Sequence, residues 1–193
     1  IQQLVSEDIT IHSRQRSPAI VHTNQTESIF KPTYAIKVRH ALFRKLREEL
    51  YISGTKQVTM STLSKLTDEG LALWIMDDGT LWFNPKNHTK YLRLCTDSFD
   101  DFSINQIQQF FSERYNTPTK VFLHNSGNGS SKKPRIQFNA ASAQIIISKV
   151  YPYMLPEFYY KLDLHYAEST IKSKRCSDDY RNAVKYMLQH SSF

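Results

Sequence analysis

A buried helix that ends in two carboxylates is predicted by the segment Leu71-Ala72-Leu73-Trp74-Ile75-Met76-Asp77-Asp78-Gly79. Its start is marked by Thr67-Asp68-Glu69, since a hydroxyl can cap the first amides and carboxylates suit the positive end of the helix dipole. The run from Leu71 to Met76 is almost wholly apolar, which is typical of a helix inside a core. The acidic pair Asp77-Asp78 therefore lies at the negative end of the helix, where the dipole disfavours it.

A second copy of this pattern lies at the start of the chain. Ile1–Asp8 is apolar at its first, fourth and fifth positions and ends in two acidic residues, as Leu71–Asp78 does. Asp8 and Asp78 are 70 positions apart (78 − 8). Two such helices packed side by side would bring both aspartates together, and carboxylates about 4 Å apart repel by roughly 4 kcal/mol at an effective dielectric of 20. A proton or cations must then intervene, and Mg²⁺ is the natural cation because it prefers oxygen ligands.

Several segments together resemble the LAGLIDADG homing endonuclease family in its single-chain, two-repeat form. The closest match runs from Leu66 to Gly79. Two later segments are similar to further landmarks of the same subfamily, namely Thr96-Asp97-Ser98-Phe99 and Tyr151–Pro156 with the following Tyr160-Lys161-Leu162. The resemblance is specific over about residues 66–162 and weaker over residues 1–50.

The resemblance implies an α+β fold. The expected architecture is a pseudo-two-fold pair of αββαββα halves with saddle-shaped antiparallel sheets and two central acidic helices. The expected boundaries are an abbreviated first half over residues 1–65, a second half over residues 66–176, and a C-terminal helix and tail over residues 177–193. The sheets of such a fold are expected to bind the major groove of DNA.

The resemblance also implies a monomeric, metal-dependent endonuclease that cuts both strands of a long, specific site in double-stranded DNA. By their positions in the motifs, Asp8 and Asp78 are the expected catalytic residues that bind Mg²⁺. Lys56 and Lys161 are the expected basic catalytic residues. Such an enzyme would leave short 3′ overhangs and initiate intron or intein mobility, and the lack of a visible splicing motif favours an intron-encoded or free-standing frame.

Three residues of the first motif depart from the family pattern. Gln2 and Gln3 stand where small residues allow close helix packing, and Ile9 stands where Gly or Ala usually follows the acid. These departures keep a second hypothesis open, in which the chain is a non-catalytic descendant that binds structured RNA, such as an intron-splicing maturase or a ribosome-associated protein. A third hypothesis is a transcription factor that uses the scaffold only to recognise duplex DNA.

The composition favours a folded protein with an anionic partner. The 193 residues are 40% hydrophobic and 22% charged, which is an ordinary globular profile. The net charge is +7, with a sequence pI near 9.3. Nucleic acid is the leading partner for such a charge.

Alternation of apolar and polar residues predicts strands whose polar faces could bind DNA. In the first half, strands are predicted over residues 9–14, 18–23 and 33–39, followed by a helix over residues 40–51. Arg can read guanine, and Asn or Gln can read adenine, in a major groove that admits a β-ribbon. A solvated sheet face is the alternative for any single residue. The predicted DNA-binding residues are Arg14, Arg16, Lys37, Arg39, Arg93, Lys120, His124, Arg135, Gln137 and Asn139.

The second half is predicted to alternate helices with strand pairs. Beyond the acidic helix, the patterns predict strands over residues 80–83, 91–96, 120–124 and 135–139, and helices over residues 103–115, 145–150 and 177–189.

Other functional classes lack the residues that they need. Cys95 and Cys176 are too few for a disulfide scaffold and too far apart for a zinc knuckle, so both are interpreted as thiols. No zinc-hydrolase or phosphate-loop motif and no membrane-spanning run is found in the sequence. The chain begins at Ile1, and we expect its reading frame to start upstream. A location in an organelle, mitochondrion or chloroplast, is expected from the habit of the family.

Overall fold

The computed structural model describes residues 10–16, 20–23, 26–29, 33–39, 41–84, 89–125, 132–162, 172 and 176–191. The chain forms two compact units, Ile1–Tyr51 and Ile52–Phe193. Both units combine helices with antiparallel strand pairs, so the predicted α+β class is confirmed. None of the helices in these ranges has the length and hydropathy needed to cross a membrane.

The first unit contains two antiparallel strand pairs and one helix. Strand β1 (Thr10–Arg16) pairs with β4 (Thr33–Arg39), and β2 (Ile20–Thr23) pairs with β3 (Thr26–Ile29). Helix α1 (Ala41–Leu50) follows. The predicted strands and helix of this half are present, whereas β3 was not predicted because its four residues show little apolar alternation.

The register of β1 and β4 groups the basic positions of the first unit. Arg14 pairs with Ala35, and Arg16 pairs with Thr33. Lys37 pairs with His12, and Arg39 pairs with Thr10. Because directly paired positions share one side of an antiparallel ladder and alternate along each strand, all four predicted basic positions belong to the same side.

The second unit contains the αββαββα order that was expected for each half. A two-residue ribbon and a short helix come first, namely β5 (Tyr51–Ile52), which starts at the last residue of the first unit, β6 (Thr55–Lys56) and α2 (Met60–Leu63). The main elements are α3 (Asp68–Asp78), β7 (Gly79–Asn84), β8 (Thr89–Cys95), α4 (Asp101–Tyr115), β9 (Thr119–Asn125), β10 (Lys132–Phe138) and α5 (Ala140–Val150). Helix α5 begins five residues before its predicted start at residue 145.

The C-terminal region packs against the rest of the second unit. Two 3₁₀ helices, Tyr151–Tyr153 and Pro156–Leu162, precede helix α6 (Asp178–His190). The predicted C-terminal helix is therefore confirmed, and Ser177 caps it by accepting a hydrogen bond from the Tyr180 amide at 3.3 Å. Its buried residues recur at helical spacing along the side that contacts α5: Tyr180, Ala183, Val184 and Met187.

The four-stranded sheet of the second unit has the order β7-β8-β10-β9 and two different faces. Helices α3, α4 and α5 pack against its inner face. The apolar side chains of that face are fully buried: Leu92, Leu94, Ile136 and Phe138. Phe111 of α4 meets Phe138 edge to face, with ring centroids 4.7 Å apart. The outer face carries the basic and amide side chains of the same strands.

Residues 52–65 belong to the second unit, although the motif pattern assigns them to the first half. The Val58 amide donates to Ser103 Oγ at 2.9 Å, and the Met60 amide donates to Gln106 Oε1 at 3.0 Å. Val58 and Leu63 are buried. These bonds to α4 explain why the compact units divide between residues 51 and 52 and not after residue 65.

Candidate active site and nucleic-acid surface

Helix α3 ends in an exposed acidic pair at a sharp junction with strand β7. The Gly79 amide donates to the Ile75 carbonyl and closes the helix. A Cβ atom at Gly79 would lie 2.5 Å from the Ile75 oxygen and 2.8 Å from Ile75 Cα, so the junction requires glycine. Asp77 and Asp78 are both exposed. The requirement for glycine at residue 79 therefore fixes the end of the helix directly after Asp78.

Lys161 binds the end of the same helix. Its Nζ donates to the Met76 carbonyl at 2.5 Å and to the Asp77 carbonyl at 2.8 Å. These carbonyls belong to the last turn, which has no intrahelical donors for them. The ammonium also offsets the negative end of the dipole, where the acidic pair is unfavourable. The structure therefore brings Lys161 to the helix end that carries Asp78.

Cys95 lies beside this helix end. Gly79 pairs with Leu94 in the sheet, which places the Asp78 junction next to the end of β8. Burial raises the pKa of the Cys95 thiol; Asp97 and Asp78 raise it further, while Arg135 and Lys161 oppose them. Sequence reasoning identified Cys95 only as a free thiol, because no motif marks its position.

Lys56 lies against one of the landmark segments. Its Nζ is 4.5 Å from the centroid of the Phe99 ring, within cation–π distance. The neighbouring Gln57 donates to Asp100 at 2.8 Å, and Asp100 caps α4 by accepting from the Ser103 amide at 2.8 Å. The lysine is thus held over the turn that follows β8.

Of the two aspartates predicted to bind a metal ion, the structure describes one, Asp78. The Asp78 carboxylate is exposed and is a hard oxygen ligand, which fits Mg²⁺. Asp8 lies outside the described residues. Across the described ranges, no group of three or more His, Cys, Asp or Glu side chains is placed to hold a metal ion. A site built on Asp78 therefore needs a further ligand, and the Asp8–Asp78 pair stays a prediction.

The outer face of the four-stranded sheet collects five of the six predicted DNA-binding residues of the second half. Arg93 pairs with Gln137, and Gln137 pairs with Lys120, so these three form a row across the sheet. Arg135 and His124 lie on the same face by the alternation of their strands.

Arg93 is held inside an aromatic sandwich on this face. It is 9% exposed, and its guanidinium carbon lies 4.5 Å from the Trp82 ring centroid and 3.8 Å from the Phe122 ring centroid. Its Nε donates to Gln137 Oε1 at 2.8 Å. Burial lowers the pKa of Arg93, and the charge of Arg135 lowers it further. Arg93 is therefore a fixed residue with little freedom to reach outward.

Arg135 is engaged by Asp97 of the landmark turn. Its Nε and Nη2 donate to the two carboxylate oxygens of Asp97 at 3.0 and 3.1 Å. This bidentate bond lowers the pKa of the Asp97 carboxyl and raises that of Arg135. The pair fixes the guanidinium and uses two of its five donors.

Asn139 was predicted as the last residue of a strand, and this assignment is wrong by one position. Strand β10 ends at Phe138, and Asn139 caps α5 by accepting the Ser142 amide on Oδ1 at 2.9 Å. The first amides of a helix need acceptors, and Asn is among the residues that supply them best. Asn139 nevertheless lines a cavity on the outer face together with Gln137 and Lys120.

Comparison with known proteins places this arrangement in a family. Residues 8–146 match the LAGLIDADG DNA endonuclease family. The solved structure "The homing endonuclease I-WcaI bound to its DNA recognition sequence" is similar in fold, with a TM-score of 0.61, 23% sequence identity, and coverage of 81% of this chain and 64% of that one.

Curated relatives include proteins named for two activities. The chain is 28% identical over 120 residues to the Cytochrome b mRNA maturase bI2 of Debaryomyces hansenii, covering 62% of this chain and 42% of the relative. It is 31% identical over 101 residues to the Probable intron-encoded endonuclease 1 of Wickerhamomyces canadensis, covering 52% and 41%. It is 26% identical over 120 residues to the Probable intron-encoded DNA endonuclease 3 of Mycosarcoma maydis, covering 59% and 81%.

The extent of these matches determines what they establish. The chain spans about two fifths of the first two relatives, so the activities in their names apply to longer proteins. The family match, in contrast, covers well over half of this chain. Endonucleases of this family generally depend on divalent metal ions. The chain belongs to the LAGLIDADG DNA endonuclease family.

Proposed function

We propose that this chain is a site-specific homing endonuclease that hydrolyses both strands of a long DNA site in a metal-dependent reaction. The observation that carries the proposal is the exposed end of α3. There, Asp78 projects from a glycine-fixed junction and Lys161 caps the last turn. An acidic pair at this end opposes the helix dipole, so its presence is better explained by a bound cation than by folding.

The residues at this end have distinct roles in the proposal. Asp8 and Asp78 would hold Mg²⁺, which when bound polarises the scissile phosphate and lowers the pKa of an attacking water. Lys161, whose ammonium is immobilised by two carbonyls, would stabilise charge that develops on the phosphate. Lys56, held over Phe99, would have the corresponding role in the other active site.

The outer sheet face supplies the proposed DNA-binding surface. The whole chain has a net charge of +7, and this face carries a row of basic and amide side chains. Base edges in a major groove are read by such side chains, while phosphate contacts by lysines fix the register. The solved relative is described as bound to its DNA recognition sequence, which supports the same partner here. We also propose that the chain acts as a monomer and is encoded by an intron in an organelle. The names of two relatives, which call them intron-encoded, support the intron.

A second candidate function is intron-splicing maturation through binding of structured RNA. The observation that favours it is the relative named Cytochrome b mRNA maturase bI2, which matches over 120 residues. The departures at Gln2, Gln3 and Ile9 agree with this candidate. The retained Asp8, Asp78, Lys56 and Lys161 favour the endonuclease.

The two candidates are separated by one experiment on the intact chain. The protein is incubated with a randomised duplex pool to select bound sequences, and then with the selected duplex and with genomic DNA in the presence of Mg²⁺ or EDTA. We expect a recurrent double-strand break that requires Mg²⁺, and binding that weakens with salt at a log–log slope of roughly −5 to −9 for about 6–10 phosphate contacts. Preference for structured RNA without any recurrent break would favour the maturase instead.

A further inference from the structure

A cavity of about 360 Å³ opens on the outer face of the four-stranded sheet. It is lined by Tyr91, Pro118, Thr119, Lys120, Gln137 and Asn139. Its volume lies within the range of sites that accept small ligands or parts of larger ones. Three of its residues were predicted from the sequence to contact DNA, and the usual partner of a free Gln or Asn is adenine.

The orientation of the Gln137 carboxamide is fixed by Arg93. A guanidinium has only donors, so the atom that faces Arg93 Nε at 2.8 Å must be the amide oxygen. The two rings around Arg93 hold that donor in place. Gln137 Nε2 donates to no other side chain or backbone atom in the described part of the chain. Because Gln137 lines the cavity, its amide nitrogen is the group of this side chain that is available to a ligand there.

The orientation of the Asn139 carboxamide is fixed in the same sense by α5. Its Oδ1 accepts the Ser142 amide at 2.9 Å, and a backbone amide can only donate. The exposed Asn139 side chain thus also presents Nδ2, a donor, to its surroundings. In both carboxamides the oxygen already accepts a hydrogen bond within the protein, so the amino group is the end left without a partner.

Lys120 adds a third donor to the same rim. It is exposed and pairs directly with Gln137 in the sheet register. The buried Thr119 hydroxyl has no hydrogen-bond partner among the described residues, and it can donate as well as accept. The polar groups of the cavity therefore suit a ligand edge that carries hydrogen-bond acceptors.

We propose that this cavity reads a guanine in the DNA major groove, with Gln137, Asn139 and Lys120 as donors and Arg93 as the positioning residue. Guanine presents two adjacent acceptors there, N7 and O6, whereas thymine presents one, O4, beside its methyl group. Adenine and cytosine each present an amino group that would face another donor. The inference rests on the proposed DNA-binding function and specifies one position of its recognition site. It reverses the usual preference of a free Gln or Asn, which pairs with adenine by both donating and accepting.

The test measures base preference at each position of the selected duplex. Wild-type protein, Gln137→Glu, Gln137→Leu and Arg93→Met are each applied to a randomised duplex pool, and affinities are then measured for all four bases at every position. In the wild type we expect one position to prefer guanine by roughly 5- to 150-fold, the discrimination typical of one bidentate contact. Replacing that guanine by 7-deazaguanine, which lacks the N7 acceptor, should weaken binding.

The variants should change the base preference at this position of the duplex and leave the preferences at the other positions unchanged. Gln137→Glu replaces donors by acceptors and should abolish the guanine preference in favour of cytosine or adenine. Gln137→Leu should make the position indifferent without disturbing the aromatic sandwich. Arg93→Met frees the carboxamide to rotate, so adenine should bind about as well as guanine. Gln189→Glu, an exposed residue on α6, is the matched charge control and should select the same sequences as the wild type.

Several outcomes would overturn the inference. Unchanged base preferences in both Gln137 variants would remove the cavity from base readout. A uniform loss of affinity for all sequences would mean that the donors bind a phosphate, and an adenine at the affected wild-type position would mean that the carboxamide is not fixed. If the wild type enriches no duplex sequence at all, the proposed function fails together with the inference. The wild type could instead enrich a sequence that has no guanine at the position altered by Gln137→Glu. In that case the inference fails while the proposed DNA-binding function stands.

Discussion

The two ends of helix α3 carry the same kind of residue in opposite electrostatic settings. At the start, Asp68 and Glu69 follow the Thr67 cap and lie at the positive end of the dipole. Asp68 also accepts a hydrogen bond from Tyr115 Oη at 2.7 Å and pairs with Arg114 at 3.4 Å. At the other end, Asp77 and Asp78 lie at the negative end, where none of the ion pairs found in the described ranges includes them.

The comparison separates acidic residues that stabilise the helix from acidic residues that destabilise it. At the start of α3, the Thr67 cap and Asp68 each have a partner that explains them through stability alone. At the end, Lys161 and Gly79 accommodate a charge pair that weakens the helix. The predictions below apply matched substitutions to the two ends, and each asks whether stability or cleavage responds.

The largest effect is expected for Asp78→Asn. Loss of a metal ligand should slow cleavage by about 10³-fold or more, because a bound metal contributes several kcal/mol to transition-state stabilisation. Stability should rise by about 0.3–1 kcal/mol, since a negative charge leaves the negative end of the helix. Single-turnover cleavage and chemical denaturation measure the two quantities.

The matched variant is Asp68→Asn at the start of the same helix. It should lower stability by a similar amount and leave cleavage unchanged, because the dipole favours a carboxylate there. Equal stability changes of the same sign at both ends would contradict the comparison. Normal cleavage by Asp78→Asn would remove this residue from the active site.

The next effect is expected for Lys161→Met. Loss of one preorganised charge should slow cleavage at saturating DNA by roughly 10²–10³-fold. The Met76 and Asp77 carbonyls also lose their donor, which should cost about 1–3 kcal/mol of stability. Lys149→Met, an exposed lysine on α5, is the control for charge alone. If Lys161 only caps the helix, stability will fall while the saturated rate stays that of the wild type.

Gly79→Ala is expected to affect stability more than Gly70→Ala. The Cβ at Gly79 meets helix backbone at 2.5 Å, so overpacking should cost about 1–3 kcal/mol. At Gly70 the nearest atom is the movable Leu66 Cδ1 at 2.9 Å, and Ala is the better helix former, so the change should be small. Thermal melting of both variants checks the difference, and equal melting temperatures would refute it.

The smallest effect is expected for Tyr115→Phe. Tyr115 is the last residue of α4, and its hydroxyl donates to Asp68 at the start of α3. Losing the hydrogen bond to Asp68 should lower stability by about 1 kcal/mol at neutral pH. Burial, followed by the bond to Asp68 and its charge, raises the pKa of Tyr115 above the ordinary value of 10.0. The stabilising contribution is therefore full below pH 10 and is lost as the pH rises further. Denaturation at pH 8 and above 10 should show the gap between variant and wild type narrowing.

Helix α3 was predictable because its signals are local. The Thr67 cap, the acidic first turn and the apolar run fix its start, and Gly79 fixes its end, all within thirteen residues of sequence. The contact between Lys161 and Met76 spans 85 residues and depends on the 3₁₀ helix that carries the lysine. Spacing could not reveal it, and only the family resemblance directed attention to Lys161.

The strand faces were predictable, whereas the partners across them were not. Alternation placed Arg93, Lys120 and Gln137 on one face, but the sandwich around Arg93 requires the register of four strands. The start of α5 was missed because residues 140–144 contain no large apolar side chain to mark a helical period. Asn139 continued the alternation of the strand, which concealed its role as a cap.

The two tryptophans of this chain lie in different surroundings, so their fluorescence should respond to two different events, ligand binding and unfolding. Trp74 lies on α3, half-buried, with its ring centroid 6.5 Å from that of Phe111 on the helical side of the sheet. Trp82 lies on the outer face, 39% exposed, next to Tyr91 and Arg93. A ligand on the outer face should therefore alter the emission of Trp82, while loss of the core should alter that of Trp74. The native chain carries separate optical reporters of binding and of unfolding, without any added label.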